Sequence, residues 1–368
     1  MQSKNILLIS LRGDLGGGPK HLDSIYQNLK GEFNLFVASP KEKPFGLTWA
    51  NELNDKFLLL PHRKFSIQSF FKLISFISKN KIDIIHAHGK GAGIYARFVK
   101  IFFPAIKVIY TWHGLHIDKY NSLGKFIYIM IEKFLSIFTD LFINVSESER
   151  NICIKNNIYK IEKSIVINNG IEDKFNSVDK NLSRENLNLP LDKFIIINIS
   201  RFDKKNNLQT FIDIVSLFIS NHNILFLLCG DGEEKSNILN EIEKKKLSNI
   251  ILKGFITNPT EYLTASDLYL STSINEGLPY SLIEASMCGL PIIASDVVGN
   301  NDIVINSLNG FLYDLKDLNK VVELIMRIKE DKVLYRKLSL DSRRIFLEKF
   351  QERKMIDELK KVYQEITK

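Results

Sequence analysis

The stretch from Leu268 to Asp296, LYLSTSINEGLPYSLIEASMCGLPIIASD, constrains the fold of this chain more than any other. Leu268 to Ser273 reads as a short buried strand, and the residues after Gly277-Leu278-Pro279 take helical spacing, with the helix opening near Tyr280 and Ser281. Gly289 stands where such a helix stops, Pro291 follows, and Ile292 to Ala294 resumes as a strand. A strand, glycine-bearing loop, helix and strand in succession place the helix start at the carboxyl edge of a parallel sheet. Unpaired backbone N–H groups and the helix dipole favour a phosphate there.

The same alternation runs through the chain twice. In the first half, strands are expected at Ile6–Ser10, Asn34–Ala38, Phe57–Leu60, Ile82–Ile85, Lys107–Tyr110, Leu141–Ile143 and Ile165–Ile167. Helices are expected from about Leu22 to Leu29 and over 66–79, 91–103 and 125–138. Glu172 to Lys193 is polar and aperiodic and reads as a linker with one short helix. A second series follows, with strands at Phe194–Ile199, Ile224–Cys229 and Ile250–Leu252 before the opening motif, and helix from about Leu318 to the end. The fold class is therefore α/β, with two doubly wound Rossmann-like domains. The expected bounds are 1–172, a linker at 173–193, and 194–350.

The first loop, Gly16-Gly17-Gly18, lies between a strand and a helix but departs from the dinucleotide fingerprint, which needs glycine where His21 stands. It reads either as a tight turn alone or as a place where backbone approaches an anion or a sugar. His86-Ala87-His88 ends a strand. An H-x-H pair suggests a metal, but no nearby acidic or cysteine ligand completes a site, so no metal is expected. His113 follows another strand at the same edge. Three cysteines lie far apart, which favours a reducing compartment and argues against a disulfide framework. No apolar run suits a signal peptide or a membrane span, so a cytoplasmic location is expected.

The net charge of +8 is uneven: residues 1–172 carry 23 Lys and Arg against 14 Asp and Glu, and the remainder is near neutral. No nucleic-acid signature accompanies that excess, so no nucleic acid is expected. Ser66 to Lys79 places Ile67, Phe70, Phe71, Ile74 and Ile77 on one helical face, and further lysines recur among Phe98, Phe102 and Phe103. Core packing and a peripheral face on an anionic membrane both fit this pattern.

Glu276 lies in the loop of the opening stretch and Glu284 about one turn into its helix. A carboxylate can accept two vicinal hydroxyl hydrogen bonds from a sugar or a ribose. The string S-x-x-E-G-x-P-x-x-x-x-E-A-x-x-x-G-x-P, from Ser273 to Pro291, resembles the E-x7-E signature of the retaining glycosyltransferases of family 4, which have the GT-B fold of two Rossmann-like domains facing a cleft. Asn169-Gly170 resembles that family's turn out of the first domain. The basic loop Ser200 to Asn207 resembles its phosphate loop, with one departure: five positions after Arg201 the family has lysine and this chain has Asn206. Either Lys205 takes that place or the second cation is missing.

The resemblance implies a retaining hexosyltransferase that moves a sugar from a nucleotide-sugar, with UDP the expected carrier. The acceptor would be lipid-linked or a saccharide, in assembly of bacterial surface polysaccharide such as lipopolysaccharide O antigen or capsule. It implies catalytic roles for His113, Glu276, Arg201 and Lys205. The donor would be bound by these second-half groups with Asn206, Gly230, Gly254, Phe255, Gly277, Leu278, Pro279, Ser281, Leu282 and Glu284, and by Gly16, Gly17 and Gly18 of the first half. No cofactor and no metal are implied, and the final helix, about 351–368, is expected to return to the first domain. A catalytically silent nucleotide-sugar-binding subunit and a nucleotide-sugar epimerase are the alternatives.

Overall fold

The computed structural model describes residues 4–115, 117, 120–175 and 179–366. The chain forms two compact units, one of Met1–Asn169 with Glu352–Lys368 and one of Gly170–Gln351.

The first unit is built on strands β1 (Asn5–Ser10), β2 (Asn34–Ser39), β3 (Phe57–Leu59), β4 (Ile84–His88), β5 (Lys107–Thr111), β6 (Leu141–Asn144) and β7 (Ser164–Val166). They form one parallel sheet in the order β3-β2-β1-β4-β5-β6-β7. Both faces are covered, which is why these strands read as unbroken apolar runs. Leu7 and Ile9 pack into the core on one face, with Tyr95 and Val99 of the Gly89–Phe102 helix. Ile6 and Leu8 pack on the other with Met355, Leu359 and Tyr363 of the Glu352–Glu365 helix. Burying each such Leu or Met side chain contributes on the order of 1.5–3 kcal/mol. Ser24 Oγ also donates to Glu352 at 2.6 Å, and Lys4 Nζ to the Tyr363 carbonyl at 3.0 Å. The last two residues of the expected final helix, 367–368, lie outside the described residues.

The second unit carries β8 (Phe194–Ile199), β9 (Ile224–Cys229), β10 (Ile250–Gly254), β11 (Leu268–Ser271), β12 (Ile292–Ser295) and β13 (Gly310–Tyr313). Its sheet is parallel in the order β10-β9-β8-β11-β12-β13. In each sheet the order reverses once, between β1 and β4 and between β8 and β11. Loops leaving the two strands at such a reversal diverge and open a crevice at the carboxyl edge.

Several elements differ from the sequence expectation. The helices Phe45–Leu53 and Glu147–Lys155 and the strand β13 are additional. The described residues of the expected linker, 173–175 and 179–193, group with the second unit, and they contain one short helix, Lys180–Asn186, as expected. Buried Arg184 fastens it, donating to the Ala265, Leu191 and Lys193 carbonyls at 2.9, 2.9 and 3.1 Å and to Asp267 Oδ2 at 2.6 Å. On the Ile67–Asn80 helix the buried stripe is Phe70, Leu73 and Ile77, whereas Ile67 and Phe71 are exposed. Among the described residues no helix is long and apolar enough to cross a membrane.

Candidate active site

At the β8/β11 reversal the second unit brings a cationic loop against an acidic one. The loop after β8 runs from Ser200 through a 3-10 turn at Lys204–Asn206 to the Leu208–Leu217 helix. Asp203 caps that turn, its Oδ1 accepting from the Asn206 backbone N–H at 3.1 Å. The loop after β11 runs through Ile274 and Glu276 to the Tyr280–Met287 helix. Ile274 N–H donates to the Lys205 carbonyl at 2.9 Å, and Thr272 Oγ1 to the Asn206 carbonyl at 2.9 Å. These bonds hold the two loops side by side. Lys205 Nζ then lies 2.6 Å from Glu276 Oε2, with the Glu276 side chain 11% exposed and that of Lys205 35%. Of the two positions left open by the sequence, Lys205 carries its charge to the acid. Asn206 instead braces the loop: its Nδ2 donates to the Arg201 carbonyl at 2.7 Å and to Asp203 Oδ1 at 2.9 Å, and its Oδ1 accepts from Ser273 Oγ at 3.2 Å.

Arg201 is half-exposed and pairs with Asp203 of its own loop, Nε to Oδ2 at 2.7 Å. Glu284 sits partly exposed in the second turn of the Tyr280–Met287 helix. The charges of both carboxylates act on one buried group, the Tyr269 hydroxyl on β11. Burial pushes that hydroxyl well above its ordinary range, and the charges of Glu284 and Glu276 add to the shift, while a hydrogen bond with Ser281 opposes it. The two acids of the motif, Ser281 and Tyr269 thus form one neighbourhood. Tyr269 Oη also donates to the Ile199 carbonyl at 2.9 Å, tying β11 to the end of β8.

The remaining motif residues divide by burial. The side chains of Leu278 and Leu282 are core, so only their backbone is available to a ligand. Pro279 precedes the helix in extended conformation and leaves the first-turn N–H groups at Ser281 and Leu282 directed out of the helix. Gly277 is held close by Gly299 of the loop after β12. A Cβ at Gly299, where φ is +84°, would lie 2.5 Å from the Gly277 carbonyl and 3.1 Å from Glu276 Cβ. Sequence reasoning missed Gly299, although a glycine soon after a strand at the same sheet edge is a legible signal. Gly230 has a packing role: a Cβ there would fall 1.8 Å from the Ser200 carbonyl. Its N–H donates to the Gly254 carbonyl at 2.7 Å. Gly254 has open space about its Cα, and the adjacent Phe255 is 57% exposed, presenting a free aromatic face.

In the first unit, the β1/β4 reversal gathers the other predicted residues. Gly16 is extended before the Gly17–Leu29 helix and lies against the Arg12 guanidinium, which pairs with Asp14 at 2.7 Å. Gly18 approaches His113, where an added Cβ would be 3.5 Å from the imidazole ring. His113 is only partly exposed, its Nε2 3.3 Å from His88 Nδ1, and burial lowers its pKa to about 4. His88 and His86 end β4 as expected, and His88 also belongs to a cluster that the H-x-H spacing does not show. His21, on the Gly17–Leu29 helix, joins His88 and His113, and the ligand atoms of the three lie within 4.8 Å of one another. A helix brings in the third imidazole from a distant part of the sequence, which no local spacing could reveal.

Comparison with known proteins agrees with this architecture. Residues 15–175 match the family model described as Glycosyltransferase Family 4, and residues 179–345 that of glycosyl transferases group 1. The UDP-Gal:alpha-D-GlcNAc-diphosphoundecaprenol alpha-1,3-galactosyltransferase of Escherichia coli is 30% identical over 308 residues, spanning 81% of this chain and 79% of that protein. The capsular polysaccharide biosynthesis glycosyltransferase CapM of Staphylococcus aureus is 24% identical over 306 residues, 81% of this chain and 80% of its own. Among solved structures, HepE of Anabaena in complex with UDP-glucose shares the fold, with a TM-score of 0.84 over 98% of this chain and 99% of that one at 18% identity. Two Rossmann-type units, both family models and a relative of this extent lead to one conclusion: the chain is a glycosyltransferase of the family 4 type, with the GT-B fold.

Proposed function

We propose that the chain transfers a hexose from a UDP-sugar, with retention at the anomeric carbon, to a saccharide carried on a lipid diphosphate during surface polysaccharide assembly. One observation supports this reading most: the β8/β11 crevice sets Lys205, with Arg201 in the same loop, beside Glu276 and the open N-terminus of the Tyr280–Met287 helix. The relatives' names supply the donor and acceptor classes. In this reading Glu284 accepts from the ribose hydroxyls and Glu276 from those of the transferred sugar. Lys205 turns from Glu276 to the diphosphate when the donor binds, with Arg201 as the second cation. Their charge, and the helix dipole, stabilise the negative charge that builds on the leaving nucleotide, so no metal is invoked for it. Phe255 stacks on the base. The first unit takes the acceptor and lends His113 to the transferred sugar.

The chemistry follows the family resemblance. The acceptor oxygen forms its bond to the anomeric carbon on the face from which the bond to the UDP phosphate oxygen breaks. The acceptor proton passes to that departing phosphate oxygen, so the products are UDP and the retained glycoside. Incubating the purified chain with UDP-hexoses and a lipid-diphosphate-linked N-acetylhexosamine, then reading the new anomeric coupling by NMR, tests this. Binding without turnover would favour the silent subunit, and an inverted linkage would refute retention.

The acceptor class calls for a membrane surface, and the first unit has a face suited to it. On the Ser122–Leu135 helix, Tyr128, Glu132 and Leu135 are buried while Leu123, Phe126, Met130, Ile131 and Phe134 stay about half exposed or more. The helix cannot turn to hide them, because Glu132 is locked to buried Arg97 at 2.6 Å. A contiguous apolar surface of this kind marks a contact partner. Lys125 and Lys133 on the same helix, within a unit of marked positive charge, favour an anionic bilayer. Flotation with neutral and anionic vesicles tests it, and absence of binding to either would count against it.

A further inference from the structure

The β1/β4 reversal of the first unit holds a cluster whose nitrogen inventory does not close. His86, at the base of the cluster, is satisfied on both sides: Nδ1 meets Tyr363 Oη at 2.5 Å and Nε2 meets Thr111 Oγ1 at 2.6 Å. Its neighbours are not. His21 is fully buried and neither of its ring nitrogens has a hydrogen-bond partner among the described residues. His88 is 5% exposed, and its Nε2 also lacks one. A buried polar atom left unmatched costs about 1–3 kcal/mol. His21, buried with no partner on either ring nitrogen and facing two more imidazoles, is the observation that points to a ligand.

We propose that His21, His88 and His113 bind one divalent transition-metal ion of the zinc class through their imidazole nitrogens, leaving a fourth position for an oxygen ligand. Zinc–nitrogen bonds of roughly 2.0–2.1 Å in a tetrahedron separate two ligand nitrogens by about 3.3–3.4 Å. His88 Nδ1 and His113 Nε2 already stand 3.3 Å apart, in a hydrogen bond whose proton the ion would displace. The three ligand atoms lie within 4.8 Å of one another, so the set must draw in before all three meet one ion. An all-imidazole set selects zinc, copper or nickel over magnesium and calcium, which require oxygen ligands. Three protein ligands with one open position is the pattern of a zinc that meets substrate, and a hydroxyl or phosphate oxygen is the ligand class it would take. His113 is the only partly exposed member, so that ligand would arrive past it. The test needs no sugar nucleotide, so its failure is distinguishable from failure of the donor reading. His113 has a part in both readings, so the variants are made at His21 and His88.

The full chain is stripped with a chelator and dialysed against Co²⁺ or Zn²⁺. The expected result is one bound ion per chain, visible d–d bands of tetrahedral Co²⁺, and a rise in melting temperature with Zn²⁺. His21→Gln and His88→Gln should each weaken binding by more than the roughly 10–100-fold that loss of a supporting hydrogen bond alone produces. His62→Gln, at a half-exposed imidazole beside Glu42, should leave binding unchanged. Wild-type protein that takes up well under one ion per chain, or a folded His21→Gln protein that binds as tightly as wild type, would overturn the proposal. If neither variant folds, as judged by circular dichroism, the wild-type stoichiometry and the cobalt spectrum decide it.

Discussion

Lys205 offers the sharpest test of the donor site, because its observed partner is not the one the chemistry assigns to it. Lys205→Ala has two separable effects. It leaves Glu276, 8% exposed, without the ammonium 2.6 Å away, which costs about 1–3 kcal/mol of stability in the second unit. That is a fraction of the roughly 5–15 kcal/mol of a typical domain, so the protein stays folded. It also removes a preorganised cation from the departing diphosphate. Loss of one such group costs about 10²–10³ in kcat, or roughly 2.7–4 kcal/mol of transition-state stabilisation. The two effects separate in a double-mutant cycle with Lys205→Met and Glu276→Gln, in which the pair is replaced by neutral groups of similar size. The urea midpoint should recover in the double variant. kcat/KM for release of UDP should fall well below that of Glu276→Gln alone. If the double variant turns over as fast as Glu276→Gln, Lys205 is only a counter-charge and the leaving-group role is wrong. Asn206→Lys in the Lys205→Ala background should not rescue activity, because position 206 is occupied in bracing Arg201 and Asp203.

Other consequences are equally direct. Glu132→Gln breaks the buried pair with Arg97 and should destabilise the first unit by about 3–5 kcal/mol, read from urea unfolding. The double change Phe126→Ser and Phe134→Ser removes two exposed rings and should reduce flotation on anionic vesicles several-fold while leaving the melting temperature within a few degrees. In the second unit, Arg343 donates to Asp173 Oδ1 at 2.9 Å and Oδ2 at 2.6 Å and holds that carboxyl below its ordinary value of 3.8. A carboxyl depressed in the folded state adds stability above its unfolded pKa and loses it as pH falls through the folded value. Asp173→Asn should therefore cost about 0.5–1 kcal/mol at pH 7 and nothing near pH 2, compared by urea midpoints at the two pH values.

The parts of this molecule legible in its sequence are those set by local pattern. Parallel strands covered on both faces appear as apolar runs, so Ile6–Ser10 and Ile224–Cys229 could be placed almost to the residue. The helix Glu147–Lys155 could not, since it is polar along most of its length and depends on the Ser146 cap and a few buried contacts such as Cys153. β13 is four residues long and gains its identity only from pairing with β12. The amphipathic reading of Ile67–Asn80 was right in kind but shifted around the helix, because Leu73 and not Phe71 meets the sheet.

The site follows the same division, and the reason lies in the topology. A parallel sheet sends every post-strand loop to one edge, so a cation after β8 and an acid after β11 could be assigned to one place without knowing a single contact. Which of Lys205 and Asn206 faces the acid depends on the turn of one short loop, and periodicity carries no record of that. His21 was harder still, because it comes from the side of a helix rather than the end of a strand. The two sheets share the strand order 3-2-1-4-5-6 up to the added β7, so each opens a crevice at the equivalent point. The second unit fills its crevice with paired charges, Lys205 and Glu276, that a polar, anionic ligand can separate and use. The first fills its crevice with imidazoles that burial keeps neutral, His113 at a pKa of about 4 and His86 near 3. Neutral imidazoles repel no cation and attract no anion strongly, so one architecture carries a phosphate site in one unit and a set of uncharged nitrogen donors in the other.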